Sequence, residues 1–398
     1  MFSGKEIVLG VTGGIAAYKA CEIVRELRKD SANVHVILTQ SGAQFITPLT
    51  LQTLSKNPVV MDMFNLISES EIGHISLAQR AHLLMIAPAT ANIIGKVRGG
   101  IADDMLSTVV MAATAPVLFA PAMNTQMYAS AAVRENIGTL KDRGFHFVEP
   151  DEGELACGTV GPGRLADVGK ILEMARIVLT EKPLGGKRVV VSAGPTAESL
   201  DPVRFVSNRS SGKMGFAMAR AACRMGAQVT LVSGPTALPD PPFISTVRVR
   251  TAEEMFKAVS RVSENADVVV MCAAVADFKA KKAAGAKIKK EDFDYKVELS
   301  PTVDILETLG KNKGKKILVG FAAETDDLAR NAREKMRRKN LDAIVANDVS
   351  RADIGFESDD NEVRIFFPDG EIRELPLATK DGIAAGVWLA LNGKMFRK

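Results

Sequence analysis

Three short stretches hold the side chains best suited to chemistry. In residues 193–215, AGPTAESLDPVRFVSNRSSGKMG, a polar loop with Asp201, Arg204, Asn208, Arg209, Ser210 and Ser211 runs into a glycine-opened helix. A loop this rich in donors, ending at a helix N-terminus, suits an anion such as phosphate, because free amides and the helix dipole converge there. In residues 12–17 the turn TGGIAA follows an apolar run and lacks the third glycine of GxGxxG. A mononucleotide phosphate therefore fits it better than a dinucleotide, and a tight turn without a ligand is the alternative. The third stretch, DEGELACGTVGPGRLAD at 151–167, has neither helical nor strand periodicity and reads as a mobile loop of the kind that forms lids. Its Cys157 is placed to meet a ligand, whereas Cys21, Cys223 and Cys272 sit in apolar contexts as small core residues. An incidental surface thiol is the other reading of Cys157.

Smaller signals add to these. Thr39-Gln40-Ser41, Pro88-Ala89-Thr90-Ala91-Asn92 and Pro121-Ala122-Met123-Asn124 each close an apolar run. Open α/β sheets bind ligands at strand C-termini, so three polar strand ends describe one crevice. His74, in GHISLAQR, opens a helix and reads as a cap, a surface residue or a catalyst. Ser211-Gly212-Lys213 invites a phosphate-loop reading that fails, because Ser207 replaces the first glycine and Met214 the magnesium-binding hydroxyl. The lysine-rich run 279–290 lacks interleaved aromatics and is followed by acids, so it reads as a solvated or phosphate-facing loop. Lys335 and Lys339 lie one helical turn apart and can face one anion.

These residues need a scaffold that presents strand ends. Strand-like runs at 6–11, 33–39, 83–87 and 117–120 alternate with helical stretches, including 15–29 and 105–113. A Pro/Gly-containing linker at 180–187 separates residues 1–186 from 187–398, where the pattern starts again. There, strands at 189–191, 228–233, 246–250, 268–273, 317–321 and 343–346 alternate with helices at 252–264, 303–311 and 325–339. A hairpin around Pro368-Asp369-Gly370 and a last helix at 380–392 follow. The expected fold is α/β: two Rossmann-like domains with mostly parallel sheets. A chain of 398 residues with 46% hydrophobic content supports two cores. A net charge of +4 calls for neither nucleic acid nor membrane as a partner. No apolar run approaches a membrane span, no signal pattern opens the chain, and no CxxC spacing suggests zinc, so a cytoplasmic location is expected.

The motifs GGIAAYK, HISL, APATAN, GGIADD, PAMN and ACGTVGPGR, in this order, resemble the flavin-dependent phosphopantothenoylcysteine decarboxylases. That resemblance implies a flavodoxin-like N-terminal flavoprotein domain whose FMN is lined by Gly13, Gly14, Ile15, Thr39, Ser41, Thr90, Ala91 and Asn92. It also implies that His74 is the active-site base, Asn124 holds the substrate carboxylate, and Cys157 is the proton donor on a lid. Ser76 stands where the family has an acid, and Arg80-Ala81-His82 where it has Trp-Ala-Asp. The residue types fit the reaction: a flavin is an electron sink for losing CO2 from a cysteine carboxylate, and the protein supplies orientation and proton transfer.

The second half carries AGPTAESLDPVRFVSNRSSGKMG, AAVADF, KIKK, VGFAAET and RKNLDAIVANDV, which resemble the phosphopantothenate–cysteine ligases fused to that decarboxylase in bacteria. For the CTP-using form, the resemblance implies nucleotide contacts at Ala273, Asp277, Lys287, Val303, Asp304, Ile305, Leu306, Phe321, Lys335 and Lys339. Asn208 matches the residue that handles the activated phosphopantothenoyl group, and Lys287 provides charge near the transferred phosphate. Mg2+ is implied by triphosphate chemistry, with no motif for its ligands. The implied substrates are 4′-phosphopantothenate, cysteine and CTP, and the implied assembly is a homo-oligomer. A flavin-binding regulatory protein without turnover competes with this reading, as does a nicotinamide-dependent reductase, which the missing third glycine disfavours.

Overall fold

The strand Glu6–Val11 is apolar from its second residue onward, and its side chains divide by parity. Ile7, Leu9 and Val11 pack against Ile23, Val24 and Leu27 of helix Ala20–Lys29 and Ile171, Leu172 and Ala175 of helix Val168–Leu179. Val8 points the other way, into a cluster with Leu84, Ile86, Ile93, Ile94, Val97 and Leu106. A strand covered on both faces belongs in a parallel sheet, and the seven residues of Leu83–Ala89 are all buried for the same reason.

A computed structural model describes residues 2–63, 73–156, 158–289, 296–324, 328–348, 355 and 357–396. The chain forms two units, Met1–Thr180 and Glu181–Lys398. In the first, six parallel strands run in the order Val59–Val60, Asn33–Leu38, Glu6–Val11, Leu83–Ala89, Val117–Pro121, His146–Phe147. The chain starts at the centre, builds to one edge, then crosses back. The switch point lies between Glu6–Val11 and Leu83–Ala89, where such sheets open a crevice.

The second unit repeats the plan. Val189 and Val191 of strand Arg188–Ala193 pack with Phe216, Met218 and Trp388, and Val190 packs with Met255 and Val259. The sheet order is Ser245–Arg248, Gln228–Ser233, Arg188–Ala193, Val268–Met271, Ile317–Glu324, Ala343–Asp348, then the antiparallel pair Asp360–Phe366 and Ile372–Thr379. Its switch point lies between Arg188–Ala193 and Val268–Met271. The last helix, Lys380–Leu391, braces helix Lys213–Arg224: the buried Trp388 indole donates to Met218 O at 2.9 Å. Arg220 and Arg224 both hold Asp381, at 2.5 and 2.9 Å.

Several local expectations change. Residues 151–167 are not irregular: Asp151–Glu154 pairs antiparallel with Val160–Arg164, although a ribbon exposed on both sides shows no alternation of hydrophobicity. Residues 15–19 form a 3-10 turn before the α-helix begins at Ala20. The loop after Ala193 contains a small ribbon, Ala197–Ser199 with Phe205–Ser207. The helix expected from 303 starts at Ile305, because the Asp304 carboxylate caps it by accepting from Glu307 N. The helix expected over 325–339 is Leu328–Arg338, with residues 325–327 outside the described ones. Cys272 lies just past its strand rather than within it.

Leu231 is fully buried in the second unit's larger core cluster. Leu231→Ala is expected to destabilise that unit by about 2–5 kcal/mol. The fluorescence of Trp388, the chain's single tryptophan, follows the denaturant midpoint, which should fall.

Candidate active sites at the two switch points

In the first unit a buried hydroxyl joins the two strands that part. Thr12, 3% exposed, donates to Pro88 O at 2.7 Å and accepts from Thr90 N at 3.2 Å. The turns after both strands then face one cavity of about 1030 Å³. Gly13, Gly14, Ile15, Thr39, Ser41, Thr90, Ala91 and Asn92 all line it. Gly13 is glycine for space, since a Cβ there would lie 2.4 Å from Ser41 Cβ. The Thr39 hydroxyl is already engaged, donating to Val11 O at 3.2 Å and accepting from Gly42 N at 3.0 Å, so it shapes the wall. Thr90 caps helix Ala91–Gly99, whose first residues line the cavity. Lys96, half-buried, pairs with Asp103 at 2.7 Å and Asp104 at 2.8 Å. Those bonds push the Lys96 ammonium up. Burial raises the Asp104 carboxyl, but Lys96 and the Ser107 amide more than offset it and hold it below the usual range.

Asn124 also lines this cavity and caps helix Thr125–Ala129, its Oδ1 accepting from Gln126 N at 2.8 Å. The ribbon 151–164 rests on the same turn, with Met123 N donating to Gly163 O at 2.9 Å. Gly163 has φ +138°, and a Cβ there would lie 2.3 Å from Met123 O, so only glycine allows this approach. Glu154, Leu155 and Ala156 reach the cavity, while Cys157 lies outside the described residues. His74 is not part of the lining within its own chain. It is half-buried on helix Gly73–Arg80, which packs on helix Met105–Ala112. The unusual residues nearby have local work: Arg80 donates to Ser76 Oγ at 2.6 Å, and His82 Nδ1 accepts from Glu6 N at 3.0 Å.

The second crevice uses the same device. Ser192, fully buried, accepts from Cys272 N at 3.2 Å and Ala273 N at 3.1 Å. The cavity here is about 340 Å³. Ala273, Asp277, Val303, Asp304, Ile305, Leu306, Phe321, Lys335 and Lys339 line it, together with the helix start at Ser210–Gly215. Lys339, 9% exposed, pairs with Asp304 at 2.7 Å, and Lys335 donates to Phe321 O at 3.4 Å. Burial raises the Asp304 carboxyl, but Lys339 and the Glu307 amide hold it below the usual range. Burial pushes the Cys272 thiol up to about 12, so it stays protonated.

Two expected residues stand apart from that lining. Asn208 sits beside it, its side-chain amide donating to Ala274 O at 2.9 Å and Val275 O at 3.3 Å. Lys287 is exposed on its loop and is not among the residues that line the cavity. Lys213, Asn361 and Lys380 do line the cavity and were not expected there. Lys213 could have been read from GKMG, since it opens a helix. Asn361 and Lys380 carry no local signal, because strands and helices far along the chain bring them in. Among the described residues no three His, Cys, Asp or Glu side chains form a metal-binding group, and no helix is long and apolar enough to cross a membrane.

Two doubly wound sheets, each with a crevice at its switch point, define an α/β protein of the Rossmann-like class with two candidate sites. The Flavoprotein family matches residues 1–179, and the DNA/pantothenate metabolism flavoprotein C-terminal domain matches residues 184–393. The coenzyme A biosynthesis bifunctional protein CoaBC of Bacillus subtilis is 50% identical over 384 residues, covering 96% of this chain and 95% of that protein. Its namesake in Escherichia coli K12 is 46% identical, covering 95% and 94%. A solved C-terminal domain of such a bifunctional protein is 44% identical, covers 54% of this chain and 99% of its own, and superposes with a TM-score of 0.47. The chain belongs to the family of bifunctional coenzyme A biosynthesis proteins. It is a flavoprotein enzyme that joins a decarboxylase and a ligase.

Gly13→Ala forces the first turn away from Ser41, and overpacking of this kind costs about 1–3 kcal/mol. Flavin retained through purification, read by visible absorbance, should fall about tenfold. The second unit, followed by Trp388 fluorescence, should be unchanged.

Proposed function

We propose that residues 187–398 ligate cysteine to 4′-phosphopantothenate with CTP, and that residues 1–186 decarboxylate the product to 4′-phosphopantetheine with FMN. The observation that carries this reading is the gathering of eight separate positions, from three strand ends, around one cavity at the first switch point. Its volume, about 1030 Å³, is at the top of the range for ligand sites and leaves room for a substrate beside a flavin. The chain's residues fit FMN: the glycine turn is open beside Gly14, where a Cβ would meet nothing nearer than 3.9 Å, and Ile15 offers an apolar surface, 60% exposed. Bound FMN supplies reversible hydride acceptance, the electron sink that lets CO2 leave.

The protein's own groups do the rest. Asn124, held by its cap, orients the substrate carboxylate, and His74 takes a proton before CO2 is lost. Cys157 returns the last proton to the substrate. His74 lies outside the cavity lining of its own chain. The homo-oligomer that the family resemblance implies is part of this reading, with a second copy able to bring the base to the flavin crevice. Four cysteines without paired spacing fit a reducing, cytoplasmic setting.

In the ligase unit the substrate carboxylate attacks the α-phosphate of CTP, pyrophosphate leaves, and an acyl-cytidylate forms. The cysteine amine then attacks the acyl carbon and CMP leaves. Lys335 and Lys339 stand at the nucleotide crevice, and Asn208 beside it handles the activated acyl group. Lys287 reaches the phosphates from its loop, and Mg2+ enters with the triphosphate. A flavin-binding regulatory protein without turnover is the alternative.

Incubation with phosphopantothenate, cysteine and CTP should give 4′-phosphopantetheine by mass and release CO2; flavin absorbance without CO2 release would favour the regulatory reading. His74→Asn should retain flavin and stop before CO2 release. In single turnover, Asn208→Asp should slow amide formation and accumulate the acyl-cytidylate, whereas Lys287→Gln should mainly slow pyrophosphate release. Loss of one charge stabiliser typically costs about 3–4 kcal/mol. Equal loss of both steps in both variants would remove the separate roles.

A further inference from the structure

Asp201 has a fully buried side chain within an exposed turn. Its two oxygens do different work. Oδ1 accepts from Val203 N and Arg204 N, both at 2.7 Å, and so closes the turn. Oδ2 accepts from Ile288 N at 3.2 Å, from a loop 87 residues further on, and faces the Arg204 guanidinium at 3.3 Å. The same guanidinium nitrogen donates to Ile288 O at 3.2 Å, and Ala284 N donates to Leu200 O at 2.9 Å. Both backbone polar groups of Ile288 are therefore held by the turn, and Ile288 directly follows Lys287.

The loop needs such a tether. Past the strand Phe278–Ala280 it carries lysines at 281, 282, 287 and 289, of which Lys281 pairs with Glu298 at 3.1 Å, and residues 287–289 lie in neither helix nor strand. Burial raises the Asp201 carboxyl, but the amides of Val203, Arg204 and Ile288 and the charge of Arg204 more than offset it, so it stays ionised at neutral pH. An exposed lysine on an untethered loop would spread over many positions, and a misplacement of about 1 Å can cost about 100-fold in rate.

We propose that Asp201 is the positioning residue for Lys287: it pins the basic loop at Ile288 and thereby sets where the Lys287 ammonium meets the ligase crevice. This rests on the role proposed above for Lys287. Asp201→Asn in the full-length protein tests it, because one oxygen remains for the Val203 and Arg204 amides while an NH2 group replaces the acceptor of Ile288 N. Pyrophosphate release at saturating CTP should slow about tenfold or more. The Asp201→Asn/Lys287→Gln double variant should be about as slow as Lys287→Gln alone, since one residue acts through the other. Amide exchange at Ile288 should be slow in the wild-type protein, fast in Asp201→Asn and still slow in Lys287→Gln, a pattern that a general loss of stability would not produce. Trp388 fluorescence reports whether the variant is folded. Effects that multiply in the double variant, an unchanged rate in Asp201→Asn, or an unprotected Ile288 amide in the wild-type chain would each overturn the proposal. The last needs no variant at all. Absence of CTP-dependent ligation in the wild-type chain would sink the proposed function itself, and the role of Lys287 with it.

Discussion

Two parallel strands that part at a switch point leave backbone amides and carbonyls with no neighbour, and buried groups of this kind cost about 1–3 kcal/mol each when unpaired. This chain meets the problem twice with a buried hydroxyl. Thr12 takes Pro88 O and Thr90 N in the first unit, and Ser192 takes Cys272 N and Ala273 N in the second. The crevice can open only because those groups are satisfied.

The crevices differ in what surrounds the clamp. The first is wide, its Lys96 is held by Asp103 and Asp104, and it is bounded by the ribbon that rests on Met123. That leaves apolar surface and helix-start amides for a planar cofactor. The second is about a third the size and lined by lysines from three helices, with Lys339 held by Asp304. A narrow basic crevice at a helix start suits a triphosphate. One doubly wound plan thus carries two different crevices, because the turns at the strand ends supply much of each lining.

The last helix has a similar indirect role. It contributes Lys380 to the crevice and, through Trp388 and Asp381, holds the helix whose first residues line it. A site built on braced helices keeps its geometry better than one built on loops, and the basic loop that carries Lys287 is tied down at Ile288.

By itself the sequence determined the two α/β units, the alternation of elements and the polar strand ends. Each of these follows from local periodicity or from a turn residue that acts within a few positions. The lining of the first crevice was legible because the residues of each turn are contiguous, as in Gly13-Gly14-Ile15 and Thr90-Ala91-Asn92. Tertiary structure alone decided the rest. The ribbon at 151–164 was hidden because strands exposed on both faces show no alternation. Lys213, Asn361 and Lys380 meet only through the closing of an eight-stranded sheet. Lys287 stands outside the cavity lining, and the carboxylate that holds its loop lies 87 residues earlier. Such pairings are set by long-range packing, which no window of neighbouring residues contains.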